Sequence, residues 1–175
     1  MTREEMPVEL VDADGTAMGK ATVAVAHTAP GLLHRAFSVL LFDPDGRLLL
    51  QQRAAGKTRF PLRWANACCG HPLPGEPVVD AATKRLAEEL GLHGVRLAPA
   101  GVYLYRAPDP DTQRVEHEYD HVLVGHLPTD PPIDPDPAEV AALRWIRPGG
   151  LTAEPLAYAP WLAGVVSAWE SARGH

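Results

Sequence analysis

The sequence predicts an α+β fold of the α/β-sandwich kind, with helices packed on a mixed β-sheet. Three observations predict it: β-rich runs bracketed by turn residues come first, one strongly periodic helix follows them, and further strands lead to an Ala-rich terminal stretch. With 175 residues, 46% hydrophobic and 22% charged, the chain can bury a sizeable core and suits one domain spanning 1–175.

The apolar runs 8–11 and 21–25 surround Asp14-Gly15 and predict an opening hairpin. A second hairpin is predicted over 36–42 and 47–53, because the two runs are separated by the turn-forming Asp43-Pro44-Asp45-Gly46. Over 77–90, Val78, Ala81, Ala82, Leu86 and Leu90 recur at helical spacing, Pro77 suits the first turn and Gly91 the stop. Strands are expected over 102–106 and 115–127, then a proline-rich surface connection over 128–137. A short helical turn over 138–142 and a strand over 143–146 should follow, and Pro160 opens a terminal helix running to about residue 172, with Gly174 to end it.

Composition excludes several classes of function. The net charge of −6 argues against a broad nucleic-acid surface, so an anionic ligand must be held by a local cluster of bases or by a metal ion. No run approaches the roughly 18 apolar residues of a membrane-spanning helix, and the first eleven residues are too acidic for a signal peptide, so a cytoplasmic protein without a membrane partner is expected. Cys68 and Cys69 are neighbours, cannot staple distant segments, and read as reduced thiols.

Gly70, Glu76, Leu86, Glu88, Glu89, Gly91 and Leu92 fall at the spacing of a Nudix box, and the segment resembles that motif. It departs from it at Lys84-Arg85, where Nudix hydrolases carry Arg-Glu, so a carboxylate beside their metals is here a cation. Glu88 and Glu89 offer hard oxygen donors for a Mg²⁺ that bridges to phosphate, Glu89 being the better candidate; isolated adjacent glutamates on a helix are more often solvated surface.

A narrower resemblance overlays the first. Ala26-His27-Thr28, Leu33-His34-Arg35-Ala36-Phe37-Ser38, Trp64-Ala65-Asn66-Ala67-Cys68-Cys69-Gly70-His71-Pro72, Val115-Glu116-His117-Glu118, Tyr105-Arg106-Ala107 and Ala159-Pro160-Trp161 are together similar to the type 1 isopentenyl-diphosphate isomerases. The resemblance implies one site for Mn²⁺, Mg²⁺ or Zn²⁺ made by His27, His34, His71, Glu116 and Glu118. Strand geometry agrees on the last pair, because residues two apart on a strand share a face about 6.5 to 7 Å apart while His117 between them faces away. Any one of the eight histidines taken alone is more often structural or surface than a ligand; His27 and His34 gain weight from flanking a Pro-Gly loop, and His71 from a turn before a helix.

The resemblance further implies Cys69 and Glu118 as the proton-transfer pair, Tyr105 as a helper on the glutamate side, and Trp161 as the aromatic face toward a carbocation. Spacing alone would equally allow Trp161 to be core packing. Arg53, Lys57 and Arg85 match the diphosphate-binding positions, with Mg²⁺ at Glu89 completing the clamp, whereas Arg59 and Arg63 read as solvated. Where these isomerases carry a lysine about four residues before the first histidine stands Val23; Lys20, three residues further upstream, is the substitute candidate. The expected activity is interconversion of isopentenyl and dimethylallyl diphosphate by a monomer acting on a small-molecule diphosphate. A Nudix pyrophosphohydrolase and a non-catalytic diphosphate-binding module are the rivals. Cys69 is expected to face the substrate, Gly70 letting the chain bend so that His71 does too, and Cys68 to be buried filler.

Overall fold

The computed structural model describes residues 1–152 and 157–174. After a 3₁₀ turn at Arg3–Glu5, β1 (Pro7–Val11) and β2 (Ala17–Thr22) form the opening hairpin, its turn held by the Asp12 carboxylate accepting from the amides of Asp14 and Thr16. The strand expected over 21–25 is corrected: β2 stops at Thr22, and Val23–Ala26 form a one-turn helix, α1. Two local contacts override the β-propensity of Val23 and Val25. The Thr22 hydroxyl accepts from the Val25 amide, and the turn buries Val23 and Ala26 against Val8.

β3 (His34–Phe42) and β4 (Leu48–Arg53) form the second hairpin and the middle of the sheet. Their continuous apolar runs are explained by burial on both faces. Phe37, Val39, Leu41 and Leu49 point to one side with Ala82, Leu86 and Leu90. Leu40, Phe42, Leu48 and Leu50 point to the other with Trp161, Leu162 and Val165. Each face is covered by a helix, α2 (Val78–Leu90) and α3 (Leu162–Arg173), which gives the expected sandwich. Pro77 precedes α2, and Gly91 ends it at φ +64°, where any Cβ would also lie 3.0 Å from the Asp134 backbone oxygen.

Between β4 and α2 come two short strands, β5 (Trp64–Ala65) and β6 (Cys68–Gly70), the latter antiparallel to the middle of β3. β7 (Ala98–Pro108) pairs antiparallel with β8 (Val115–His126), and β8 runs parallel to β3 over nine residue pairs from His34↔Glu118 to Phe42↔His126, which makes the sheet mixed. The helical turn expected over 138–142 is corrected as well. Val140 already opens β9 (Val140–Ile146), which pairs with β4, and a full ladder outweighs one isolated turn. No helix among the described residues is long and apolar enough to cross a membrane.

Candidate active site

A cavity of about 230 Å³ opens between the N-terminal segment, the loop after β4, β6, α2 and the α3 entry. Its wall includes Arg53, Lys57, Cys69, His71, Arg85, Tyr105, Glu116, Glu118 and Trp161, so most of the residues singled out from the sequence meet in one place.

Three imidazoles and one carboxylate converge on one side. His27 and His34 are fully buried, and the ring centroids of His27, His34 and His71 lie 4.7 to 5.0 Å apart. His27 closes α1, its Nδ1 2.7 Å from the carbonyl of Val23; His34 opens β3, its Nδ1 2.8 Å from the carbonyl of Leu32. A carbonyl only accepts, so in both rings Nδ1 carries a proton and Nε2 is the atom turned inward. Inward lie Glu116 Oε2, 2.9 Å from His27 Nε2, and Glu118 Oε1, 3.0 Å from His71 Nε2, while buried His34 Nε2 has no hydrogen-bond partner among the described residues and lies 3.7 Å from Glu118 Oε1. Ring nitrogens facing carboxylate oxygens at these distances call for positive charge between them, which either a ring proton or a metal ion supplies. The ligand atoms of His27, His34, His71 and Glu118 all lie within 4.8 Å of one another. Ligands about 2.1 Å from one ion are at most about 4.2 Å apart, so a pair at the 4.8 Å limit would have to close by about 0.6 Å or more, a shift within reach of side-chain rotation. The donor set therefore fits a divalent metal. Glu116 is adjacent to this group but is shared between His27 and Arg59.

Electrostatics separate the two proton-transfer candidates. Burial pushes the Cys69 thiol up to about 12, so it stays protonated near neutral pH. Burial works against the charge of Glu118, yet the imidazoles of His34 and His71 outweigh it and hold that carboxyl well below the ordinary range. Burial also pulls His71 down to about 4, leaving its ring neutral and fit to ligate. The Tyr105 hydroxyl donates to Glu118 Oε2 at 2.8 Å and is itself pushed well above its ordinary value by burial and by that carboxylate.

Trp161 is only 2% exposed, with the Phe60 ring edge-on at 5.4 Å and the Arg53 guanidinium 5.5 Å from its ring centre. It belongs to the α3-side core, as the packing reading requires, and it also lines the cavity. The adjacent thiols diverge as strand geometry requires: Cys68 sits in the core under α2, and Cys69 lies in the cavity wall. Gly70 serves a close approach rather than a bend, because a Cβ there would lie 2.7 Å from the Phe37 ring across the β3–β6 pair.

The cations are less uniform. Lys57 pairs with Glu139, and Arg85 pairs with Glu88, Glu89 and Glu139. Arg53 is tied to the carbonyls of Arg59 and Phe60. Glu89 is buried with its oxygens engaged by Gln51 and Arg85, so Glu88 and not Glu89 lines the cavity. Lys20 is exposed on β2 and does not line it, whereas Val23 does. The solvated reading of Arg59 is corrected: its side chain is 12% exposed, lines the cavity, and reaches Glu4 at 2.8 Å and Glu116 at 3.2 Å. Sequence reasoning also missed Arg3 and Glu4, whose charges bring the N-terminal turn to the cavity through Glu88, Glu139 and Arg59. Their partners are so distant along the chain that no local spacing could have shown them.

Residues 32–168 match the NUDIX domain family. The chain is 63% identical over 171 residues to an isopentenyl-diphosphate Delta-isomerase of Nocardia farcinica, covering 95% of this chain and 96% of that protein. It is 49% identical to the protein of the same name from Streptomyces griseus, covering 98% and 86%, and 45% identical to that of Halorhodospira halophila, covering 91% and 92%. Among solved structures, a Deinococcus radiodurans protein superposes with a TM-score of 0.70 at 20% identity, over 92% of this chain and 97% of that one. A Nudix hydrolase from M. smegmatis gives 0.61 at 17% identity, over 95% and 94%. At such identities the structural likeness carries the fold alone.

Proposed function

The chain belongs to the NUDIX domain family and, within it, to the isopentenyl-diphosphate Delta-isomerases, and from that membership we propose that it interconverts isopentenyl diphosphate and dimethylallyl diphosphate with its own thiol and carboxylate as the proton-transfer pair. The observation that carries this reading is that Cys69 and the Tyr105–Glu118 pair line one cavity together with Trp161.

Cys69 gives its proton to the terminal methylene carbon, whose π pair forms the new C–H bond and leaves a tertiary cation at the central carbon. Trp161 presents its ring face toward that cation. Glu118 then takes a proton from the carbon on the far side, and the C–H pair becomes the new double bond. In the reverse direction the roles exchange. Tyr105 orients Glu118 through its hydrogen bond. Arg53, Lys57 and Arg85 hold the diphosphate, with Lys20 too far out on β2 to be our first choice and Arg59 nearer at hand.

His27, His34, His71, Glu116 and Glu118 would hold one Mn²⁺, Mg²⁺ or Zn²⁺, and Glu89 the Mg²⁺ that arrives with substrate; when bound, these ions supply positive charge that keeps Glu118 ionised and neutralises the diphosphate. At Glu89 the donor type suits Mg²⁺, but Arg85 occupies the carboxylate and would have to turn away. We take the 175 residues to act as one domain and as a monomer in the cytoplasm, where free thiols such as Cys68 and Cys69 stay reduced. The test is incubation with isopentenyl diphosphate and a divalent metal in D₂O. Deuterium in dimethylallyl diphosphate without phosphate release is expected; phosphate release would favour a hydrolase, and neither would leave only a binding module.

A further inference from the structure

Asn66 is fully buried and has no part in the steps above. It lies between β5 and β6, and its side-chain amide can take only one orientation. Nδ2 donates to the carbonyls of Cys68 at 2.8 Å and Val39 at 3.2 Å, and since both are acceptors only, Oδ1 must be the atom on the other side. There Oδ1 accepts two hydrogen bonds, from Cys69 Sγ at 3.2 Å and from Trp161 Nε1 at 3.1 Å. Two N–H groups and two lone pairs are all used. The indole N–H can only donate, so that bond has one possible direction. Among the described residues the thiol has one other hydrogen-bond contact, Ser38 Oγ at 3.6 Å, and that hydroxyl is donated to Asp120 at 2.7 Å.

We infer that Asn66 is a positioning residue for the isomerisation: its single amide oxygen sets the relative placement of the Cys69 thiol and the Trp161 ring. This rests on the roles given to Cys69 and Trp161 above. The two groups come from different layers, Cys69 from a sheet strand and Trp161 from the start of α3, and a cysteine side chain has three staggered wells to choose among. One shared acceptor, itself pinned by two backbone carbonyls of β3 and β6, selects a single well and fixes the ring to it. The thiol must reach one carbon while the ring faces the next, so an error of about 1 Å between them would lower the rate about a hundredfold.

Two measurements test this. In Asn66→Ala, kcat for isopentenyl diphosphate should fall about 10²-fold with KM and bound metal unchanged, since neither the clamp nor the histidine cluster touches Asn66. A folded variant with kcat within about threefold of the parent, or one whose KM rises as much as its kcat falls, overturns the inference. Asn66 also holds backbone, so the variant could unfold; the second measurement therefore leaves Asn66 intact. In ¹⁵N-indole-labelled full-length protein, Cys69→Ala should move the Nε1–H resonance of Trp161 by more than those of Trp64, Trp145 and Trp169, because the indole then has Oδ1 to itself. An unmoved Trp161 resonance refutes the shared acceptor. If Cys69→Ala stays active the assignment of the acid fails, whereas if it is inactive and Trp161 does not move, this inference fails alone.

Discussion

Replacing the two adjacent thiols one at a time should separate chemistry from packing. Cys68 is fully buried among Phe37, Val39, Leu86 and Leu90, so Cys68→Ala leaves a small void and is expected to cost about 1–2 kcal/mol. For a chain of this size that lowers the melting temperature by roughly 2–8 °C, with turnover nearly unchanged below the transition. Cys69→Ala reverses the pattern. The lost S–H donor leaves no buried orphan, because Asn66 Oδ1 keeps the Trp161 indole, so the melting point should barely move. Turnover should fall about 10²- to 10⁴-fold, or about 3–5 kcal/mol in the barrier, since alanine cannot carry a proton. The assay is initial-rate formation of dimethylallyl diphosphate beside a thermal melt of each variant. An active Cys69→Ala with an inactive, folded Cys68→Ala would refute both the assignment and the mechanism.

His71→Ala and Glu116→Gln should each lose bound metal together with activity, and elemental analysis showing parental metal content in both would sink the His/Glu site. Glu89→Gln should raise KM in a way that added Mg²⁺ partly restores; unchanged KM speaks against its role in the clamp. Arg59→Ala should lower stability by roughly 1–3 kcal/mol by stripping Glu4 and Glu116 of their cation, and an unaltered denaturation midpoint would show that the pairs contribute nothing. Burial opposes the charge on Asp109, but donors from Thr112, Phe60 and Asp111 outweigh it and hold its folded-state value below the ordinary 3.8. Its stabilisation is thus fully present above pH 4 or so and lost as pH falls through the lowered value. Asp109→Asn should flatten that acid limb; an identical acid titration of stability in both proteins would exclude the residue from it.

What could be read in the sequence depended on the distance over which a signal is written. Strand alternation told that Glu116 and Glu118 share a face and that Cys68 and Cys69 do not, and both are local consequences of the pleat. The periodic helix ending at Gly91 was legible for the same reason. Four residues are too few to display a helical period, so α1 was hidden in an apolar run that strand propensity claimed. Arg59 read as solvated because its partners, Glu4 and Glu116, lie far along the chain in both directions, and its burial exists only once the N-terminal turn has folded over the loop after β4. Lys20 was the nearest lysine in sequence, yet the hairpin carries it to an exposed edge.

The row His34–Glu118–Tyr105 runs straight across three neighbouring strands, β3, β8 and β7. Its β3–β8 step is parallel and joins segments separated by nearly half of the described chain, the kind of pairing that forms late because its loop must close before any contact rewards it. With the ion held as proposed, metal ligation would be a readout of folding progress: a chain with its hairpins made but β8 undocked has His27 and His34 in hand and lacks Glu116 and Glu118. An ion added to refolding protein would then be captured only at the final docking step and would slow the reverse one, so the ion proposed for the chemistry would also latch the sheet.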